Sequence, residues 1–295
     1  MLKHRRIVSW QGWHIEIPRR WDPVKLEGDH AQGHALFADT VRPRLGLRWQ
    51  TPRKSGGDPS DAVESALKAE VGLLASKEAR PVPLEPQLWQ SPLLYVEPQP
   101  PGRDVFCGFS TVSGRLLQLA YHAHRRESLF ASGILPTLED LSLERAALWS
   151  IFDLNCVIPG GMHLKNQRLN AGDLGLTFSD RLEEVTVRQI AVAQLALQRL
   201  PLDGWITDHQ KPARRYHTPT GVFADTTLSI GDRDLPARIS RMHRRLRYAL
   251  LWNVPPVCTT IAAHDAERDR LMLLHGSDES LLREIARTAG AASVA

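Results

Sequence analysis

Gly12-Trp13-His14-Ile15-Glu16-Ile17-Pro18-Arg19-Arg20-Trp21, followed by Gly33-His34-Ala35-Leu36-Phe37-Ala38-Asp39, is the stretch on which the reading of the fold turns. Its skeleton returns as Cys156-Val157-Ile158-Pro159-Gly160-Gly161-Met162 and Leu174-Gly175-Leu176-Thr177-Phe178-Ser179-Asp180. Ile17, Pro18, Phe37 and Asp39 match Ile158, Pro159, Phe178 and Asp180 at one constant spacing of 141 residues, without a gap. Trp21 and Met162, both large and apolar, each stand three places after the proline. Alternation at Trp13, Ile15 and Ile17 has the period of a half-buried strand, and proline, which has no N–H for the ladder, ends it. A repeat this long marks a duplicated domain rather than a solenoid.

Working outward, further echoes keep the same order. Leu94-Tyr95 and Pro98 match Leu251-Trp252 and Pro255, and Cys107 follows the first pair as Cys258 follows the second. Residues 115–119 resemble residues 270–274, and each run is followed by a Ser-Leu step (Ser128-Leu129, Ser280-Leu281) suited to a helix N-cap. The boundary is expected near 146/147, giving domains of residues 1–146 and 147–295, each able to bury its own core. A hydrophobic content of 42% and a charged content of 24% are those of a globular protein. No apolar run reaches the roughly 20 residues a membrane helix needs, and the first residues lack the apolar core of a signal peptide. Three widely spaced cysteines do not make a disulfide framework. A cytoplasmic protein with buried free thiols is expected, without a membrane partner.

Residues 35–37 and 45–49 are predicted as a strand pair. Asp58-Pro59 opens a helix with Val63, Ala66, Leu67, Val71 and Leu74 along one stripe. Residues 93–96, 105–111 and 116–124 read as strands, and a helix over 128–141 closes the unit. In the second half, Thr186-Val187-Arg188-Gln189 has the form of a capping box, predicting a helix to Leu200. A basic, loop-rich insertion is expected near 205–247, with strand pieces at 221–224 and 227–230. Strands at 259–263 and 271–275 and a helix at 280–288 follow. These runs predict an α+β class: two tandem α-β-α sandwich-like domains, each a mostly antiparallel sheet with flanking helices.

The motif Gly-Trp-x-Ile-x-Ile-Pro-x-x-Trp at residues 12–21, with the Phe-x-Asp strand at Phe37, resembles the opening of PsbP-like (Mog/PsbP superfamily) domains. The resemblance covers about 130 residues of the first half and, more faintly, the second. It implies α-β-α sandwiches that act as binding and assembly factors without catalytic residues. The chain is expected to depart from the photosynthetic members in being doubled and in having no targeting peptide, and no functional residue carries over.

No Gly-rich phosphate loop of either standard type is present. Residues 108–114 contain serines near glycines but read as a hairpin turn, not a nucleophile elbow. His122 and His124 share a strand face, without a third ligand at a useful spacing; no metal, cofactor or catalytic residue is expected.

The net charge of +4 is unevenly spread. Residues 209–247 hold nine Lys or Arg against three Asp, so the remainder is slightly acidic. Read as a strand, residues 241–252 put Arg241, His243, Arg245 and Arg247 on one face. Read as a helix, the same arginines are a solvated face. With Arg214, Arg215 and His217, this segment is the candidate surface for an acidic partner or a phosphate-bearing ligand. Three functions are compatible: a non-catalytic binding or assembly protein with a protein partner, an enzyme or sensor for a small anion, and a nucleic-acid binder. The third is disfavoured because only Tyr216 and Tyr248 lie close enough for stacking.

Overall fold

The computed structural model describes residues 5–52, 57–85, 87–98, 102–123, 130–251 and 254–289. The chain divides into two compact units, Met1–Leu143 with Trp149–Phe152, and Glu144–Leu148 with Asp153–Ala295.

In the first unit, β1 (Arg5–Trp10) and β2 (Trp13–Pro18) form a hairpin, followed by β3 (Asp22–Gly28), β4 (Gln32–Ala38) and β5 (Pro43–Gln50). Next come α1 (Pro59–Val71) and α2 (Leu73–Ser76), then β6 (Arg80–Pro81), β7 (Trp89–Tyr95), β8 (Gly102–Ser110) and β9 (Leu116–Ala123). A short π-helical turn (Phe130–Ile134), a 3-10 turn (Leu135–Thr137) and β10 (Glu139–Asp140) follow, with β10 paired to β2. The main sheet is antiparallel, in the order β3-β4-β5-β9-β8-β7-β6.

The later elements run β11 (Ala147–Ile151), β12 (Leu154–Ile158), β13 (His163–Asn170), β14 (Asp173–Ser179) and β15 (Glu184–Ala191). Then come α3 (Ala193–Arg199), α4 (Leu202–His209), β16 (His217–Ile230), β17 (Arg233–Arg244), β18 (Val257–Asp265), β19 (Arg270–Gly276) and α5 (Glu279–Thr288). The second unit's main sheet has the order β13-β14-β15-β19-β18-β17-β16. Strand for strand, this is the order of the first.

The predicted α+β class is overturned: the protein is 51% strand and 21% helix, with three large antiparallel sheets and few helices, and not helix-flanked sandwiches. Two misread segments show why. Residues 186–189 lie inside β15, where Val185 and Val187 are fully buried and β14 and β19 pair on either side. Period-two burial of β-branched residues overrides the capping-box pattern. In the segment predicted as helix 128–141, Ser128 and Leu129 lie outside the described residues, and the rest is two short turns and β10. The stripe over 63–74 is broken by Gly72 at φ 87°, which leaves Leu74 80% exposed. The part that holds is α1: Asp58 accepts from the Ser60 N–H, and Val63 and Leu67 pack on Val105, Cys107 and Leu116.

The register corrects two of the echoes. Leu94 pairs with Phe106 and Phe106 with Leu119, while Ile239 pairs with Ile261 and Ile261 with Leu274. Leu94 therefore corresponds to Ile239; Leu251 lies past the end of β17, and Trp252 is outside the described residues. By the same ladders Cys107 corresponds to Ala262, not Cys258. The Phe-x-Asp echo has a direct cause. Phe37 and Phe178 are fully buried. Asp39 accepts from the N–H of Val41 and Arg42, and Asp180 from those of Leu182 and Glu183, closing the same turn twice. These bonds favour the carboxylate, so Asp39 is held down at about 2 and Asp180 is lowered too.

The first core is aromatic: Trp10, Trp13, Trp21, Trp49 and Trp149 are all buried, with Trp13 against Phe37 and Trp49. At its edge the fully buried Arg115 is paired with the fully buried Asp140 and donates to the carbonyls of Gln11 (2.8 Å) and His30 (2.7 Å). Removing one member of such a pair leaves an uncompensated charge. Arg115→Met is expected to cost about 3–5 kcal/mol in urea unfolding of the full chain. The double variant Arg115→Met/Asp140→Leu should recover most of that loss; a double variant as unstable as the single one would assign the stabilisation to the carbonyl bonds.

Candidate functional site

The basic segment of the second unit lies on its sheet-edge hairpin. Edge strand β16 pairs with β17, with His217 opposite Arg244 and Thr218 opposite His243. The expected strand exists, but it stops at Arg244. Beyond the ladder the Arg245 N–H bonds the Tyr216 carbonyl at 2.9 Å and a 3-10 turn covers Leu246–Tyr248. The Arg244 guanidinium donates to the carbonyls of Leu251 (3.1 Å) and Val254 (2.8 Å), curling the chain back. Arg241, His243, Arg245 and Arg247 therefore do not form one straight row.

The structure divides the candidate residues. Arg241 is neutralised by Glu279 at 2.6 Å. Arg214 is half-buried and reaches the Thr207 carbonyl at 3.5 Å. His217 is only 3% exposed, with Nε2 2.9 Å from the Pro255 carbonyl. His243 is exposed on β17. Arg215 and Arg247 come together through two tyrosines: Arg215 lies over the Tyr216 ring (5.3 Å), Arg247 over Tyr248 (4.8 Å), and the two rings meet edge to face at 5.2 Å. Arg245 joins them through its Tyr216 bond. Among the described residues no carboxylate pairs with Arg215, Arg245 or Arg247. Beside them Leu246 and Leu250 are each 90% exposed. The exposure of Leu246 and Leu250 was not legible, because sequence does not show that the strand stops at Arg244.

Inward of His217 lies a buried polar cluster that sequence reasoning missed. The His217 Nε2 is 3.5 Å from the Cys258 Sγ. His275 Nδ1 meets the Thr260 Oγ1 at 2.8 Å, Gln210 Nε2 donates to the same hydroxyl at 3.3 Å, and the His209 ring lies 5.5 Å from that of His275. Burial pushes the Cys258 thiol up to about 11 and holds it protonated. Burial also depresses His209 to about 3 and His275 to about 4, helped for His209 by the neighbouring His275. Both imidazoles are therefore neutral hydrogen-bonding groups near pH 7. These residues sit 66 positions apart in sequence, on α4 and β19, and only the sheet brings them together.

The first unit carries a concave face of its own. His34, Arg48 and Gln118 stand in one cross-strand row and, with Gln32, Gln50 and Leu116, line a cavity of about 460 Å³. His34 is depressed by burial and by Lys25 and Arg48. His122, on the same sheet opposite Arg103, is depressed by burial and by that arginine; His124 lies outside the described residues. The 108–114 segment is a turn, closed by the Gly114 N–H on the Ser110 carbonyl at 3.0 Å. Among the described residues no group of three His, Cys, Asp or Glu is placed to hold a metal, and no helix is long and apolar enough to cross a membrane.

Comparison with protein-family models and with curated proteins finds no match.

The histidine pair makes the stability pH-dependent with a definite sign. Well above pH 6.5 both states carry neutral imidazoles and there is no linkage. As pH falls below 6.5 the unfolded chain takes up protons that the folded chain refuses until about pH 4 for His275 and about pH 3 for His209. Stability should therefore fall between pH 6.5 and pH 4. In urea titrations over that window, His209→Phe is expected to flatten the slope by about one proton; an unchanged slope would show that His209 charges freely in the fold.

Proposed function

We propose that the chain is a non-catalytic binding or assembly protein, built from two copies of a PsbP-like domain, that holds a protein partner on its sheet surfaces. The observation that carries this reading is the pair of leucines, Leu246 and Leu250, each 90% exposed beside the Arg215–Tyr216–Tyr248–Arg247 stack. Exposed apolar groups framed by aromatics and arginines are the composition of an interface anchor. Arginines around it that have no carboxylate among the described residues favour an acidic partner and speed its approach. The alternative, a small-anion enzyme or sensor, draws less support, since Arg241 is tied to Glu279 and His217 is buried away from Arg215. The nucleic-acid reading rests on two tyrosines that meet edge to face and already carry Arg215 and Arg247 over their rings. The reading includes a cytoplasmic location, supported by three free, widely separated cysteines.

The test compares tagged wild-type protein with the Leu246→Glu/Leu250→Glu variant in capture from native lysate after nuclease and high salt. A stoichiometric protein partner held by wild type and reduced at least about tenfold by the variant, at an unchanged melting temperature, is expected; tenfold corresponds to about 1.4 kcal/mol. Equal capture by both proteins would remove this surface from the function. Capture lost to nuclease, with a steep log-log salt slope, would move the function to nucleic acid.

A further inference from the structure

The two units share one strand order, so each is a reference for the other. On one face of the first sheet, Gln32, Gln50 and Leu116 make one cross-strand row, and His34, Arg48 and Gln118 make the next. The same register in the second sheet reads Asp173, Ile190 and Leu271, then Gly175, Arg188 and Leu273. Arg48 and Arg188 therefore occupy equivalent places.

In the second unit that arginine is satisfied twice. Asp173 accepts from Arg188 Nε at 2.7 Å and Nη2 at 2.8 Å, a bidentate pair. The Trp205 indole, on α4, lies 5.5 Å from the guanidinium carbon, within cation–π range. Ala193 and Ile206, from α3 and α4, pack over Ile190, Leu271 and Leu273 and fill the face.

Among the described residues of the first unit neither partner has an equivalent. Gln32 takes the place of Asp173, and α1 packs on Val105, Cys107 and Leu116 instead. The Arg48 side chain stays 65% exposed, and its nearest carboxylate among the described residues is Glu70 at 3.7 Å. That carboxylate is already paired with Arg103 and accepts from Gln118 at 2.8 Å. What remains is the cavity of about 460 Å³, inside the size range of small-ligand sites. The second unit's Ile190 and Leu273 are replaced here by Gln50 and Gln118, so the walls offer amide hydrogen bonds where the second unit offers an apolar bed.

We propose that this cleft is a binding site for an aromatic carboxylate. Its carboxylate pairs with the Arg48 guanidinium as Asp173 does with Arg188, and its ring stacks on that guanidinium as Trp205 does. The same chemistry is available from a free small aromatic acid or from neighbouring acidic and aromatic side chains of a peptide. The site shares no residue with the Leu246 surface and does not depend on it.

Two probes distinguish the sources on the full-length protein: indole-3-acetate, and the blocked tetrapeptide acetyl-Asp-Gly-Trp-Ile-amide, which copies residues 203–206 of this chain. Isothermal titration calorimetry is expected to show saturable binding of at least one, with Kd at or below about 1 mM. Indole-3-methanol, which keeps the ring and lacks the charge, should bind at least about tenfold more weakly, a difference of about 1.4 kcal/mol. Arg48→Ala should abolish binding. Gln32→Asp, which supplies an internal carboxylate, should weaken it at least about tenfold with an unchanged melting temperature. Tighter binding of indole-3-acetate supports the site with a small-molecule source, and tighter binding of the tetrapeptide supports it with a polypeptide source. Absence of saturable binding by both probes at millimolar concentration, or binding unaffected by Arg48→Ala, would overturn the proposal.

Discussion

Pairing of β5 with β9, and of β15 with β19, is the constraint on which each unit depends. Leu45 lies opposite Tyr121 and Val187 opposite Leu274, so each sheet closes across a long stretch of chain. The other ladders of the main sheets link strands consecutive in sequence. The closing pair must meet the entropy of a large loop before its neighbours add anything. Side chains at the start of the second strand of each pair secure the junction. Arg115, just before β9, is buried with Asp140 and bound to carbonyls from two other segments. Its counterpart Arg270, which opens β19, makes a partly exposed pair with Asp153 at 2.9 Å. The first copy holds its junction with an interior charge pair, which is costly to break by removing one member. The second holds the same junction at the surface, where such pairs contribute little.

Divergence between the copies follows from how their cores are filled. Trp13, Trp21 and Trp49 pack the first unit, whereas Met162, Leu176, Val187 and Leu274 pack the second. The helical elements between β5 and β6, and between β15 and β16, then settle differently. In the first unit α1 lies on Val105 and Cys107 and leaves the Arg48 row open. In the second, α3 and α4 lie across Ile190 and Leu273 and bring Trp205 onto Arg188. Replacing Gln50 and Gln118 by apolar residues is what lets an apolar segment rest there, since burying an amide without a partner is costly. The second copy also has the long edge hairpin of β16 and β17, and past its open end, beyond Arg244, stand the exposed leucines and arginines. A duplicated fold has thus been used to place two different surfaces on one chain.

Several features were legible from short-range pattern. The alternation at Trp13, Ile15 and Ile17 became β2, with all three side chains fully buried. The Asp58-Pro59 cap became the start of α1. The repeated Asp39 and Asp180 became the same turn twice. Errors arose where local pattern was ambiguous. Thr186 to Gln189 satisfies a capping box and also alternates as a strand, and the two flanking strands decided between them. Leu94-Tyr95 and Leu251-Trp252 look alike, but hydrogen-bond register, which sequence does not display, matches Leu94 to Ile239. The basic row over 241–247 failed after Arg244, because Arg244 bonds carbonyls several residues downstream and turns the chain.

The sequence by itself determined that the chain is a doubled unit, where the first strands and α1 lie, and that positive charge concentrates between residues 209 and 247. Periodicity, capping chemistry and turn residues act over a few positions, and those positions are adjacent in the text. The tertiary structure alone decided that the fold is mostly β, that Arg48 is open while Arg188 is covered, and that His209, Thr260 and His275 share one buried cluster. Each of these depends on which distant strand supplies the neighbour across the ladder, and that choice is made by burial summed over whole sheets rather than by any local motif.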